Sequence, residues 1–156
     1  MGGPCLIWIE PQRAEIVAHL GLLERAATTQ SEMGCAHAFR TSGARKLITP
    51  DLRLIVTELF ADEVHDPSPV ELLAELRQDP DYDGVPFLVY SMYVHNTAAD
   101  PKPQPYTMQR DARERIETLA ALPNTYFLGR ETEADVFVQT VRQLVIGAST
   151  GAQPPS

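Results

Sequence analysis

Basic clusters, cysteines and long apolar runs are all scarce in this sequence. Its 156 residues carry 13 Lys and Arg against 21 Asp and Glu, a formal net charge of −8, and the cations nowhere gather into a run. Proteins that grip nucleic-acid phosphates do so with clustered Lys and Arg, so no nucleic-acid partner is expected. The two cysteines, Cys5 and Cys35, are too few for a disulfide framework and lack the spacing of a metal motif. They read as two small buried side chains, the alternative being an oxidation-sensitive pair near the starts of adjacent strands. No apolar run approaches the roughly 18 residues that cross a bilayer. The start Met1-Gly2-Gly3-Pro4-Cys5 lacks the basic and apolar regions of a secretory signal. A cytoplasmic location without a membrane partner is therefore expected. His19, His37, His65 and His95 are scattered without ligand spacing. There is no Gly-rich phosphate cradle, and no Ser-His-Asp or Cys-His set that spacing would reveal.

What is present is an ordinary globular composition, 44% apolar and 22% charged. The length suits one domain, expected over 1–147, with a disordered tail over 148–156. Cys5 to Ile9 (CLIWI) is a continuous apolar run, as in a strand covered on both faces. After Glu10-Pro11, residues Ile16, Leu20, Leu23 and Ala27 form one helical stripe. Cys35 to Phe39 is a short second strand, and Ser42 to Ile48 has room for one or two helical turns before Pro50.

Leu52 to Leu59 is the third strand, with an acid near its end. Ser68-Pro69-Val70-Glu71 is a capping box with proline at the first helical position, and Val70, Leu73 and Leu76 continue its buried face. Val85 to Ser91 is a fourth strand, and Val94 to Tyr106 a Pro-rich loop. Met108, Ala112, Ile116 and Leu119 resume helical spacing. Thr125 to Leu128 is a fifth strand. Ala134, Val138, Val141 and Val145 line a last helix closed by Gly147. Five βα units with right-handed crossovers predict an α/β three-layer sandwich around a doubly wound, five-stranded parallel sheet of flavodoxin-like order 2-1-3-4-5. Ligands of such sheets sit at the carboxyl ends of the strands, where Glu10, Glu58, Ser91 and Arg130 should converge.

Those strand ends carry a family resemblance over residues 5 to 146. Ile9-Glu10, Val56-Thr57-Glu58-Leu59, Glu71-Leu72-Leu73, Pro86 through Ser91 and Phe127-Leu128-Gly129-Arg130 fall in the order of a response-regulator receiver domain, CheY-like but degenerate. The resemblance implies an acidic pocket at Glu10, a phosphoacceptor-equivalent at Glu58, a Ser/Thr switch at Ser91, an aromatic switch at Phe127 or Tyr126, and Arg130 in the place of the lysine. Pro11 replaces the second metal-binding acid, and Glu131 the proline that should follow the lysine. Counting without gaps from Pro50-Asp51 puts Val56 rather than Glu58 in the acceptor's place.

Phosphoryl transfer depends on positioning and charge neutralisation, so these departures predict lost chemistry and a domain biased by Glu58 as a phosphomimic, its carboxylate directed at Ser91 and paired with Arg130. No cofactor is expected, a Mg²⁺ site being the weaker reading. Each residue also has a plain reading: Glu10 and Glu58 as solvated carboxylates, Tyr126 and Phe127 as core aromatics. The leading expectation is a stand-alone, non-enzymatic pseudo-receiver acting through a protein partner or homodimer. Its contact face would be the fourth helix, fifth strand and fifth helix, including the charged run Gln109 to Arg115. The alternative is a small TIR-like or nucleoside-deoxyribosyltransferase-like enzyme using Glu58.

Overall fold

The computed structural model describes residues 2–12, 14, 34–94, 109–130 and 132–150, the side chains of 148–150 excepted. Its elements are β1 (Leu6–Ile9), β2 (Cys35–Ala38), α1 (Thr41–Leu47), β3 (Leu54–Thr57), α2 (Pro69–Arg77), β4 (Phe87–Ser91), α3 (Arg110–Ala120), β5 (Thr125–Gly129) and α4 (Ala134–Thr150). The strands form one sheet in the order β2-β1-β3-β4-β5, and every pairing is parallel. This is the doubly wound order the sequence predicts. The helical stripe expected from Ile16 to Ala27, the Pro-rich loop expected from Val94 to Tyr106 beyond its first residue, and residues 107, 108 and 151–156 lie outside the described residues.

Alternation along the strands divides the core in two. Ile7, Ile9, Ile55, Phe87, Val89 and Phe127 point to the layer of α1, α2 and α3, where Leu72, Leu73, Ile116 and Leu119 meet them. Leu6, Trp8, Leu54, Val56, Tyr90 and Leu128 point the other way, onto Phe137, Val141 and Leu144 of α4. Burying one such aliphatic or aromatic side chain contributes about 1.5–3 kcal/mol, which explains why the central strands are apolar on both faces.

The capping box is present: Glu71 N donates to Ser68 Oγ (3.2 Å) and Ser68 N to Glu71 Oε2 (3.1 Å). Such a cap is worth about 1 kcal/mol. At the start of β5, Asn124 takes a left-handed φ of 57°, a region that Asn tolerates better than most residues. Its carbonyl accepts from Phe87 N (2.9 Å) and from Arg77 Nη2 (3.1 Å).

Several expectations need correction. Regular pairing in β3 is confined to Leu54–Thr57, because Leu52 N already turns back onto Thr49 O (3.0 Å). The last helix does not close at Gly147. Ala148, Ser149 and Thr150 continue it, since a glycine ends a helix only where the chain also turns there. Val70 is half-buried but packs on the core, and Leu72 joins Leu73 and Leu76 on the buried face. The cysteines are not both buried: Cys5 is half-buried and Cys35 exposed. Cys35 is the register partner of Leu6 at the start of β2, and Cys5 sits in the bend just before β1.

Candidate functional site

Because all five strands run the same way, their carboxyl ends share one edge. Main-chain hydrogen bonds carry the ladder just past it: Glu10 N donates to Ala38 O (2.9 Å), Glu58 N to Ile9 O (3.0 Å) and Arg130 N to Ser91 O (3.3 Å). Glu10, Glu58 and Arg130 are therefore each the first residue beyond a strand, and Ser91 is the last of β4. Val56, the acceptor position on a gapless count, lies one residue inside β3 and is fully buried in the cluster with Trp8 and Leu88. It does not reach the edge.

The four edge residues meet. Arg130 Nη2 is hydrogen-bonded to Glu10 Oε1 and lies 3.3 Å from Glu58 Oε2. Its Nε donates to Tyr90 O (3.3 Å), and its guanidinium carbon stands 4.8 Å from the centre of the Tyr90 ring. Glu10 Oε2 accepts from Gln12 N (3.1 Å). Glu58 Oε1 accepts from Leu59 N (2.7 Å), and the Ser91 hydroxyl hydrogen-bonds the same carboxylate. Ser91 Oγ in turn accepts from Tyr93 N (3.2 Å). Glu10 is 1% exposed and Ser91 not at all, so Glu10 is not a solvated carboxylate. It is buried because Arg130 is there to pair with it.

Glu58 is held above the usual carboxylate range. Burial is the largest cause, and the negative Glu10 adds to it; the Ser91 hydrogen bond, Arg130 and the Leu59 amide oppose it. A carboxyl whose folded pKa is raised binds its proton more tightly folded than unfolded. It therefore costs stability once pH has risen above the folded value, and that cost vanishes below the unfolded value of 4.5. Glu58→Gln, which keeps the Leu59 contact, is expected to stabilise the protein at pH 8 and to be neutral at pH 4. Urea melts at the two pH values read this, and an equal effect at both would contradict it.

In front of these groups lies an open cavity of about 470 Å³, bordered by Glu58 and Arg130 and walled by Phe60, Met92, Tyr93 and Gln109. Sequence reasoning missed these walls. Phe60, Met92 and Tyr93 follow strands with no periodicity to mark them, and only their place just past a strand end could have drawn notice. Tyr90 was missed as the support of Arg130 because it reads as one more core residue of β4. His37, given no chemistry, has Nε2 3.3 Å from Glu10 O.

The family resemblance implies Mg²⁺, a hard cation that asks for several oxygen ligands in near-octahedral array. The donor set does not fit it. Glu10 has one oxygen on Arg130 and the other on Gln12 N, Glu58 is bonded to Leu59 N, Ser91 and Arg130, and Pro11 offers no side-chain oxygen. Among the described residues no group of three or more His, Cys, Asp or Glu could hold a metal.

Phe127 is fully buried on the α1–α3 side, and Tyr126 is 7% exposed on the α4 side, where burial raises its phenol pKa and the Arg77 charge opposes. In the charged run on α3, Arg110, Asp111, Arg113 and Glu114 are exposed. Arg115 turns inward, donating to Glu63 Oε2 (2.7 Å) and to Leu59 O (3.1 Å) with its guanidinium 4.3 Å from the Phe60 ring centre. Glu131 lies outside the described residues. No helix among the described residues is long and apolar enough to cross a membrane.

No family model and no curated protein sequence matches the chain. Solved structures do. The signal receiver domain of an HD-domain protein from Pseudomonas fluorescens superposes with a TM-score of 0.64 at 11% identity, covering 96% of this chain and 99% of that one. The receiver domain of a signal transduction histidine kinase from Syntrophus aciditrophicus gives 0.62 at 13%, covering 94% and 92%. The phosphorylated cyanobacterial phytochrome response regulator RcpA gives 0.59 at 16%, covering 99% and 100%. The chain has the fold of response-regulator receiver domains.

Proposed function

We propose that this chain is a receiver-like signalling module of the cytoplasm that acts through protein contacts and without phosphorylation. The carrying observation is the bridge from Arg130 to Glu10 and Glu58. A receiver's phosphoryl group is bound by a cation and by metal-holding acids. Here the cation already answers two carboxylates of its own chain. Glu58, in the acceptor's role, is one methylene longer than aspartate and is turned onto Arg130 and Ser91. A negative group fixed beside the switch hydroxyl stands in for the phosphoryl oxygen, and the domain keeps one shape for others to read. Phe127 is the aromatic that would report that shape. The output face is α3, β5 and α4, a reading favoured by the exposed charges of Arg110, Asp111, Arg113 and Glu114.

The test is incubation with acetyl phosphate and Mg²⁺, followed by intact-mass measurement under neutral conditions. No phosphoryl adduct is expected. Stoichiometric labelling of Glu58 or of any other acid would sink the reading.

A further inference from the structure

How firmly a helix stays docked depends on the apolar surface it buries, and where that surface is small the polar ties decide. The helix α3 buries little. Its 11 residues are mostly charged, and its buried side chains are Ala112, Ile116 and Leu119. Toward α2 it borders an open hollow of about 460 Å³, lined by Val70 and Glu71 on one side and by Asp111, Glu114 and Thr118 on the other. Close packing is missing along that stretch.

A polar tie supplies what the apolar grip lacks. Arg115 reaches from α3 to the loop after β3, where its Nη1 donates to Leu59 O (3.1 Å) and Glu63 Oε2 (2.7 Å) and its Nη2 to Glu63 Oε1. The two side chains are 23% and 25% exposed, and the guanidinium carbon lies 4.3 Å from the centre of the Phe60 ring. The anchor is built without α3. Leu59 is fully buried, and its N–H is fixed on Glu58 Oε1 (2.7 Å). Glu63 Oε2 also accepts from Ala61 N (3.1 Å) within its own loop, and Phe60 meets Tyr93 edge to face at 5.5 Å. Beyond the far end of α3, Arg77 of α2 donates to Pro123 O (2.7 Å) and Asn124 O (3.1 Å), which pins the turn into β5. What lies before and after α3 on this side is thus held by the rest of the fold, and α3 is the piece that can leave.

We propose that Arg115 is a latch for α3: when it releases Leu59 and Glu63, α3 comes off the sheet and unwinds while the five strands and α4 stay folded. A helix of 11 residues without its support does not keep its hydrogen bonds in water, so detachment is also melting, and it stops at the pinned turn of Pro123 and Asn124. The latch deepens the reading of α3–β5–α4 as the output face and rests on that reading for its consequence, that Arg115 sets the fraction of molecules whose face is complete.

Native-state hydrogen exchange on the full chain, followed amide by amide by NMR at increasing urea below the unfolding transition, tests the latch. The amides of residues 114–120 are expected to exchange through an opening with a smaller urea dependence than the β3 and β4 amides, which wait for global unfolding. Arg115→Met should speed exchange in α3 about tenfold or more, as the loss of charge-assisted hydrogen bonds does, and Glu63→Gln should act in the same direction. Val141→Ala, in the α4 layer behind the sheet, weakens a part that survives the opening. It should speed the strand amides and leave those of α3 unchanged. One urea dependence shared by α3 and the strands would overturn the proposal in the unsubstituted chain. So would α3 exchange that Arg115→Met leaves unaltered, or that Val141→Ala speeds as much as it speeds the strands. Labelling by acetyl phosphate would sink the phosphorylation-independent reading and leave the latch standing, because exchange is measured on the unphosphorylated chain.

Discussion

Arg130→Met is expected to destabilise the protein by about 3–5 kcal/mol, the range measured when one partner of a buried ion pair is removed. In a domain of this size that is a fall in melting temperature of roughly 6–20 °C. The size follows from what is left behind. Glu10 is 1% exposed, and without the guanidinium its carboxylate keeps the Gln12 amide among the described residues. Tyr90's carbonyl and Glu58 lose a donor at the same time. The double variant Glu10→Gln, Arg130→Met removes the stranded charge and should recover a large part of the loss, which makes the two substitutions non-additive. Chemical denaturation of both single variants and the double variant completes the cycle. A loss below about 1 kcal/mol for Arg130→Met, the size of an exposed pair, would mean that the bridge is open to water and would remove the ground for treating the pocket as self-neutralised.

The second large effect is Phe127→Ala, with an expected loss of about 3–5 kcal/mol, the cost of deleting a buried aromatic ring. Phe127 has no exposed surface and belongs to the cluster that holds Val89, Phe87, Ile116 and Leu119. Tyr126→Phe, which removes only a hydroxyl at a position 7% exposed, should cost less than about 1 kcal/mol. Urea midpoints at constant slope read both. If Phe127→Ala cost little, the ring would not be packed as described, and position 127 would be free to swing as an aromatic switch must. The expected large cost instead means that the inward position is the resting one.

The sheet was readable because its central strands are apolar on both faces, and CLIWI or FLVYS leaves few other readings. The start of α2 was readable for a different reason: capping chemistry is local, and Ser68, Pro69 and Glu71 carry it alone. The meeting of Glu10, Glu58, Ser91 and Arg130 followed from topology, since a parallel sheet brings every strand end to one edge. A pairing of Glu58 with Arg130 could be expected from their places at the strand ends. What could not be read was that a buried Glu10 shares the same guanidinium, which depends on rotamers and on the depth of Glu10, and no spacing encodes either. The end of α4 was misplaced because Gly147 marks a stop only when the backbone beyond it turns left-handed, a matter of conformation and not of composition. Cys35 was misjudged because cysteine usually sits inside: the order 2-1-3-4-5 put β2 outermost, but nothing in CAHAF says that its first residue is exposed.

The position of Cys35 bears on every measurement of size made on this protein. Cys35 is exposed at the start of an edge strand, so a disulfide between two molecules is sterically open to it in air. Reductant, or Cys35→Ser, therefore belongs in any sedimentation or light-scattering experiment that asks whether the chain associates with itself.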